Sequence, residues 1–394
     1  MLCGTVVIGS CSDDPTVQYA LENEEYWQDT SDRPAFTSDR LLVTNSLDDT
    51  LSVLDAATWQ EIDRVPVGLN PVDREGPHHV SADPDGEFYY VGISNFVPNA
   101  GGGPHGAHGA GTIDGHCLKF GASDNLLVQS VRVDRNPGDV AVTPDGATIV
   151  QSHFDLVRIR EVIDRGGEPS ELDSRLAIID AGSMRRRAMV PTCPASHGIA
   201  IAPDGLQVFV SCYTDELAIV DLNDAPSLAQ RVAVVGEPGP ITAPVCLPYA
   251  LTVDPRGESV WVSCFQNGQL LRYDITSSAM DPAVVLQLPG PALFGAFGPD
   301  GTTLYVPYQE IDGVAVVDTR TAMIVDDIDL EPDACINAHV VRITEDGAHL
   351  LVICEDNRID PGTLVVIRLA DNSVVQVTEL GRFPDAIELL KFPR

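Results

Sequence analysis

Residues 197–221 of the chain read HGIAIAPDGLQVFVSCYTDELAIVD, and this stretch decides the fold. Apolar and polar residues alternate on both sides of Pro203-Asp204-Gly205, which is the pattern of two half-buried strands joined by a tight turn. After a polar tip, a third alternating run ends at Asp221, and residues 231–235 read as a fourth strand. The stretch therefore predicts four consecutive antiparallel strands in one sheet.

The same turn recurs along the chain, so this sheet is one unit of a repeat. Turn glycines lie at positions 86, 146, 205, 257, 301 and 347, between 44 and 60 residues apart, and the shortest spacings are typical of a propeller blade. A further unit begins at Leu41 without an inner strand, whereas residues 384–391 read as an inner strand with nothing after it. The sequence therefore predicts an all-β, seven-bladed β-propeller over residues 36–394, closed where the C-terminal strand joins blade one.

The first unit also resembles a known repeat, the YVTN repeat of surface-layer-type β-propellers. The matching segments of this unit are Leu42-Val-Thr-Asn45, residues 50–55, Val65-Pro-Val-Gly68 and Asn70-Pro71. In later blades, Tyr90-Val91 and Tyr305-Val306 match the opening pair of the repeat. Leu42 stands where the repeat has Tyr. The resemblance implies the propeller fold over nearly the whole chain, but it implies no particular activity, because one fold carries many functions.

The charge of the chain is strongly negative. Lys and Arg together number 24 against 58 Asp and Glu, which gives a net charge of −34. Such a field repels nucleic acid and anionic membrane surfaces and attracts cations. The alternative interpretation is a solvated acidic surface without a specific partner. Since no run of 18 apolar residues occurs, we expect no transmembrane helix.

The N-terminal sequence MLCGTVVIGSCSDDP suggests export. Residues 1–11 resemble the end of a bacterial lipoprotein signal, with Cys11 as the lipidated residue. The basic region is missing and the apolar part is short, so an upstream start or a chance resemblance stay open. Residues 12–35 then form an acidic tether. We expect a cell-envelope, periplasmic or extracellular protein that contacts a membrane only through this anchor.

The cysteines support the same compartment. Six of the nine fall at matching repeat positions, separated by 19, 18 and 19 residues: Cys193 and Cys212, Cys246 and Cys264, Cys335 and Cys354. A hairpin brings the two ends of each pair within the reach of a disulfide. Disulfides would imply an oxidising compartment, and three pairs of reduced core thiols are the alternative. No C-x-x-C-H motif occurs, so covalent haem is not expected.

Most of the histidines map to one face of the predicted ring. His78, His197 and His339 each lie eight residues before a turn glycine, at the start of an inner strand beside the central channel. Further candidates on this face are His79, His153, the carboxylate of Asp139 as a supporting partner, and His105, His108, His116 and Cys117 near the long loop 96–112. A second insertion, residues 154–174, emerges on the same side. Long loops on one side of a rigid scaffold usually carry binding.

Imidazoles in this arrangement suit a transition metal such as copper, zinc or iron, with a coordination position left open. Alternatively, each histidine only forms hydrogen bonds in a wet channel. Three functions follow as hypotheses. The first is a non-catalytic scaffold that binds a protein or small molecule on the His-rich face. The second is a metal-dependent oxidoreductase or metal-binding accessory protein, and the third is a lactonase or lyase, for which the sequence offers no acid/base pair. A closed ring needs no partner to fold, so we expect a monomer.

Overall fold

The computed structural model describes residues 36–69, 74–94, 110–330 and 334–392. Within these ranges the chain forms seven four-stranded antiparallel sheets, and in six of them the first strand in sequence is innermost. The sequence prediction of a seven-bladed β-propeller is therefore confirmed. The predicted lipidation residue Cys11, the predicted tether 12–35 and the candidate ligands His105 and His108 lie outside the described residues.

The strands follow one another in the predicted order. Blades one and two contain β1 (Arg40–Asn45), β2 (Thr50–Asp55), β3 (Glu61–Pro66), β4 (Pro77–Ala82), β5 (Phe88–Ile93), β6 (Asp114–Gly121) and β7 (Leu127–Arg135). Blades three and four contain β8 (Pro137–Val142), β9 (Thr148–His153), β10 (Asp173–Asp180), β11 (Arg185–Pro194), β12 (Ser196–Ile201), β13 (Gln207–Cys212), β14 (Glu216–Asp221) and β15 (Ser227–Ala233). Blades five and six contain β16 (Pro248–Val253), β17 (Ser259–Cys264), β18 (Gln269–Asp274), β19 (Ala279–Gln287), β20 (Ala296–Phe297), β21 (Thr303–Tyr308), β22 (Gly313–Asp318) and β23 (Met323–Asp329). Blade seven contains β24 (Ala338–Ile343), β25 (His349–Cys354), β26 (Pro361–Arg368) and β27 (Ser373–Arg382), and the chain ends with β28 (Pro384–Leu390).

The last strand closes the ring. β28 pairs antiparallel with β1, with Ile387 opposite Val43, and thereby becomes the inner strand of blade one. It also lies between the inner strands β24 and β4 of the neighbouring blades. The C-terminal strand closes the ring as predicted, and blade one thereby has four strands like the other blades.

Two local predictions were wrong. Residues 154–174 are not a plain loop, because they contain helix α1 (Leu156–Asp164) and a short 3-10 helix (Pro169–Leu172). The helix buries Ile159 and Val162, one turn apart on one face, and this spacing is too short a signal to identify in sequence. The fourth strand of blade four begins at Ser227 rather than at residue 231, since the exposed outer strand lacks clear alternation. Among the described residues no helix is long and apolar enough to cross a membrane.

The three predicted disulfides are present. Cys193–Cys212, Cys246–Cys264 and Cys335–Cys354 have Cα–Cα distances of 5.9, 4.7 and 5.3 Å. Each joins the segment before an inner strand to the end of the next strand in its blade. Three disulfides are consistent with an oxidising compartment.

Aspartates in the turns after the second strands fix where the following inner strands begin. The carboxylate of Asp49 accepts hydrogen bonds from the backbone N–H of Gly76 (2.7 Å) and of Glu75 (3.0 Å), just before β4. Asp312 does the same for the N–H groups of Asn337 (3.0 Å) and Ala338 (2.8 Å), before and at the start of β24. These bonds hold the beginnings of the inner strands β4 and β24 at the mouth of the channel.

Candidate functional site

The inner strands bring one or two side chains each to the same end of the channel. From blade one to blade seven these are Asp385, His78 with His79, Asp139, His197, Tyr249, Phe294 and His339. Side chains from separate blades meet there: the ring centroids of His78 and His197 lie 5.6 Å apart, and those of Phe294 and His339 lie 5.4 Å apart. The structure therefore brings His78, His197 and His339 together around the axis. We call this set of residues the mouth cluster.

Aromatic residues that follow the second strands fill the space around the mouth cluster. Phe154 and Tyr213 pack on His197 with centroid distances of 4.5 and 6.0 Å, and Phe265 packs on Tyr249 at 5.2 Å. His197 is fully buried as a result. The histidines lie inside the channel mouth rather than on an open surface.

His79 is the exposed member of the mouth cluster. About 23% of its side chain is accessible, whereas His78 and His339 are 2% and 1% exposed. Solvent or a ligand therefore reaches the mouth cluster past the imidazole of His79.

The first group with metal-binding geometry consists of His78, His79 and Asp139. Each offers one ligand atom, and these atoms lie within 4.8 Å of one another. Nδ1 of His79 is 3.4 Å from Oδ1 of Asp139, while Oδ2 of Asp139 accepts a hydrogen bond of 3.1 Å from the backbone N–H of Ile199. A carboxylate held by a backbone donor on one oxygen thus presents the other oxygen to the imidazole of His79, and a ligand atom of His78 lies close by.

Burial tunes the protonation of this group. Burial, with a smaller contribution from the charge of His339, lowers the pKa of His79 to about 3, so its imidazole is neutral at physiological pH. Burial raises the pKa of Asp139 well above its usual value, because a lone carboxylate is unfavourable there. Neutral imidazole is the form that binds metal, and a bound cation would stabilise the carboxylate.

The second group consists of His339, Glu355 and Asp385, whose ligand atoms also lie within 4.8 Å of one another. Here the carboxylate already has close partners on both oxygens: Glu355 contacts Nδ1 of His339 through one oxygen and Nε of Arg358 through the other. Burial opposes the ionisation of Glu355, but the charges and hydrogen bonds of His339 and Arg358 outweigh it and lower its pKa. A metal would have to displace Arg358, so the first group is the better metal site.

Backbone and side-chain hydrogen bonds hold this second group in place. The backbone N–H of Phe294 donates to the carbonyl oxygen of His339 at 3.2 Å, and Arg358 donates to Oε1 of Gln309 at 3.2 Å. Ser46 donates to the carboxylate of Asp385. These contacts join blades six and seven at the channel mouth and hold Asp385 in place within blade one.

The Glu355 network gives a stability prediction. Glu355→Ala removes the buried carboxylate that pairs with both His339 and Arg358. We therefore expect a loss of about 3 kcal/mol in the free energy of unfolding. Urea denaturation at neutral pH measures it. In the control Glu345→Gln, the lost ion pair with Lys391 is more than half exposed on both side chains, and we expect at most about 0.5 kcal/mol. Equal losses in the two variants would contradict the buried network.

The structure places the other predicted residues elsewhere. His153 is buried within blade three, where its Nδ1 lies 2.6 Å from the carbonyl oxygen of Arg175, and it belongs to neither group. His116 lies on β6 opposite Ile93, and burial lowers its pKa to about 4. Burial raises the pKa of the Cys117 thiol to about 12, which is the property of a core residue rather than of a reactive one.

Sequence reasoning missed Glu355 and Asp385. Glu355 directly follows the second strand of blade seven, at the position held by Phe154, Tyr213 and Phe265 in other blades. Asp385 follows Pro384 in the closing strand, at the position held by His78 in blade two. Alignment of the repeats could have placed both at the channel mouth, although it could not show that Glu355 pairs with His339.

Comparison with known proteins shows what the chain resembles. No family model matches the sequence, and no curated protein matches it. Among solved structures, a candidate 6-phosphogluconolactonase from Bacteroides uniformis has a TM-score of 0.63 at 14% identity, with 90% of this chain and 100% of that chain covered. A candidate 6-phosphogluconolactonase from Bacteroides fragilis has a TM-score of 0.63 at 15% identity, covering 91% and 99%.

A protein of unknown function from Desulfotomaculum acetoxidans has a TM-score of 0.66 at 13% identity, with 89% of this chain and 99% of that chain covered. At such identities a structural likeness shows the fold but not the activity. The chain is therefore a seven-bladed β-propeller that shares its fold with these proteins.

Proposed function

We propose that this propeller binds a divalent transition-metal ion at the mouth of its channel, through His78, His79 and Asp139. The observation that carries the proposal is the convergence of three ligand atoms, from two neighbouring blades, within 4.8 Å of one another. Two imidazoles and one carboxylate form a donor set that suits zinc or ferrous iron. Three protein ligands leave coordination positions open for water or a substrate.

Electrostatics favour a cation at this place. The chain carries a net charge of −34, which concentrates cations near its surface. Burial disfavours both a charged His79 and an ionised Asp139 when each stands alone. A metal ion offsets the cost of the buried carboxylate without requiring a protonated imidazole. The competing account is a metal-free hydrogen-bond network, and the experiments below separate the two.

Export belongs to the proposal as well. The three disulfides support the proposal that the protein binds its metal in an oxidising compartment, outside the reducing cytosol. The binding of a protein or small molecule on the loop-rich face stays a prediction.

Metal titration tests the proposal. The protein is purified without a histidine tag, stripped with a chelator, and titrated by calorimetry with Zn²⁺ and, without oxygen, with Fe²⁺. We expect a single ion per chain, with affinity at least about tenfold lower in His79→Ala. His349→Ala is the matched control, because His349 packs on Trp59 rather than in the mouth cluster. Absence of binding, or equal loss in both variants, would overturn the proposal.

Asp139→Asn gives a second prediction, in which metal reverses the order of stability. The pKa of this carboxyl group is higher in the folded state than its unfolded value of about 4. The free energy of unfolding therefore falls as the pH rises above that unfolded pKa. At pH 8 without metal, the variant is therefore expected to be more stable than the natural protein. With excess Zn²⁺ the natural protein should be the more stable of the two, because the variant binds the ion poorly. Urea midpoints at pH 5 and pH 8 measure both effects.

Lactone hydrolysis is a second candidate function. The observation that favours it is the likeness to two candidate 6-phosphogluconolactonases, together with a site whose metal would polarise a carbonyl group. Hydrolysis of gluconolactone and of its 6-phosphate, followed with a pH indicator above the spontaneous rate, tests it. Activity that survives chelation would separate this function from the metal site.

A further inference from the structure

A cleft of about 530 Å³ lies between blades two and three, beside helix α1, on the same face as the mouth cluster. No member of the mouth cluster lines it. Its walls come from the start of β6, the end of β7, α1, the 3-10 helix and the start of β10. The volume lies within the range of pockets that hold small molecules.

The cleft brings several arginines together, interleaved with carboxylates, in a strongly acidic protein. Of the 24 Lys and Arg residues of the chain, four arginines line this one cleft: Arg135, Arg158, Arg165 and Arg175. Carboxylates lie between them: Asp114, Asp134, Asp155, Glu171 and Asp173. Forks of arginine alternating with carboxylates offer both donors and acceptors, which is the chemistry that hydroxyl groups and acid groups require.

Ion pairs and hydrogen bonds hold most of these groups in fixed positions. Arg175 binds both oxygens of Asp134, at 2.8 and 2.6 Å. Arg158 contacts Asp155 and donates to the backbone carbonyl oxygen of Asp173 at 3.0 Å. These contacts make the walls of the cleft rigid before any ligand arrives.

Two groups in the cleft have hydrogen-bonding capacity that the protein does not use. Oδ1 of Asp155 has no hydrogen-bond donor, although the residue is only 6% exposed. The nearest cation is Nε of Arg135, at 3.7 Å, which is too far for a hydrogen bond. Among the described residues the Arg135 guanidinium makes no hydrogen bond, and 25% of its side chain is accessible. A buried carboxylate oxygen without a donor is rare and points to a missing partner.

We propose that this cleft is a binding site for a small polyhydroxylated acid, a sugar acid or a sugar phosphate. The guanidinium of Arg135 pairs with the acid group, and Oδ1 of Asp155 accepts a hydrogen bond from a hydroxyl group of the same molecule. The site uses none of the metal ligands, so it stands independently of the metal proposal.

Calorimetry with the full chain tests this site with four probes. Gluconate and glucose 6-phosphate carry both an acid group and hydroxyl groups, whereas glucose lacks the acid group and inorganic phosphate lacks the hydroxyl groups. We expect gluconate or glucose 6-phosphate to bind, with the preferred one identifying the acid group as carboxylate or phosphate. Glucose and inorganic phosphate should each bind on the order of tenfold more weakly.

Variants assign the binding to the cleft. Arg135→Gln and Asp155→Asn are each expected to weaken binding on the order of tenfold. Arg160→Gln is the matched control, because Arg160 lies on α1 and is 73% exposed but does not line the cleft. Circular dichroism confirms that each variant is folded. Binding should persist in a chelator, which separates this site from the metal site.

Three results of the affinity measurements with these probes and variants would overturn the proposal. These are no binding of any probe at millimolar concentration, equal affinity in Arg135→Gln and Arg160→Gln, or binding of inorganic phosphate as tight as that of glucose 6-phosphate. Loss of binding in the chelator would also overturn it, because the ligand would then sit on the metal.

Discussion

Deletion of residues 384–394 is expected to abolish folding of the whole ring. β28 is the inner strand of blade one, paired with β1 from Arg40 opposite Leu390 to Asn45 opposite Pro384. The deletion uncovers one edge of β1 and the sides of both neighbouring inner strands. It also removes the buried side chains of Ala386, Ile387 and Leu390, of which each large one contributes about 2 kcal/mol. With the lost strand pairing, the total is comparable to the margin of about 5–15 kcal/mol by which domains are stable.

Soluble expression, circular dichroism and size-exclusion chromatography measure this effect. Deletion of residues 392–394 is the control, because it leaves β28 and the Lys391–Glu345 ion pair intact. The control should fold and the longer deletion should aggregate or be degraded. A folded, monomeric product of the longer deletion would show that blade one does not depend on its C-terminal strand.

Reduction of the disulfides is expected to produce the second large loss of stability. Each bond closes a loop of 18 or 19 residues, which contributes about 3 kcal/mol in the chain-entropy account. The first bond joins the end of β11 in blade three to β13 in blade four, and the other two end on the second strands of blades five and seven. All three lie in one closed ring, so their effects combine in a single unfolding transition. We expect a reductant to shift the urea midpoint far downward, and paired Cys→Ser replacement at any one bond to cost about 3 kcal/mol.

Mass spectrometry of a non-reduced digest identifies the linkages. Peptides joined at Cys193–Cys212, Cys246–Cys264 and Cys335–Cys354 are expected. Other pairs would show that the hairpin register is wrong, and an unchanged urea midpoint in reductant would show that the bonds contribute nothing.

The fold was predictable because each repeat contains a recognisable turn sequence. A Pro-Asp-Gly turn fixes the register of the two strands on either side, so positions counted back from Gly86 or Gly205 have the same place in each blade. The same counting located His78 and the cysteine pairs. Closure was predictable because the strand at residues 384–391 has no partner of its own in sequence.

The candidate site was predictable only in part. Repeat counting places a residue at the channel mouth, but it does not show what surrounds that residue. Phe154 and Tyr213 bury His197, and Arg358 occupies the carboxylate of Glu355; both effects depend on packing between blades. Helix α1 was missed because its apolar face has only two buried residues.

Anomalous diffraction from crystals soaked in Zn²⁺ tests the central claim most directly, since it locates the ion without reference to activity. The account predicts one strong peak at the channel mouth, about 2.0–2.2 Å from a nitrogen of His78, a nitrogen of His79 and an oxygen of Asp139. A peak at His339 and Glu355 instead, or no peak near the channel axis, would contradict it.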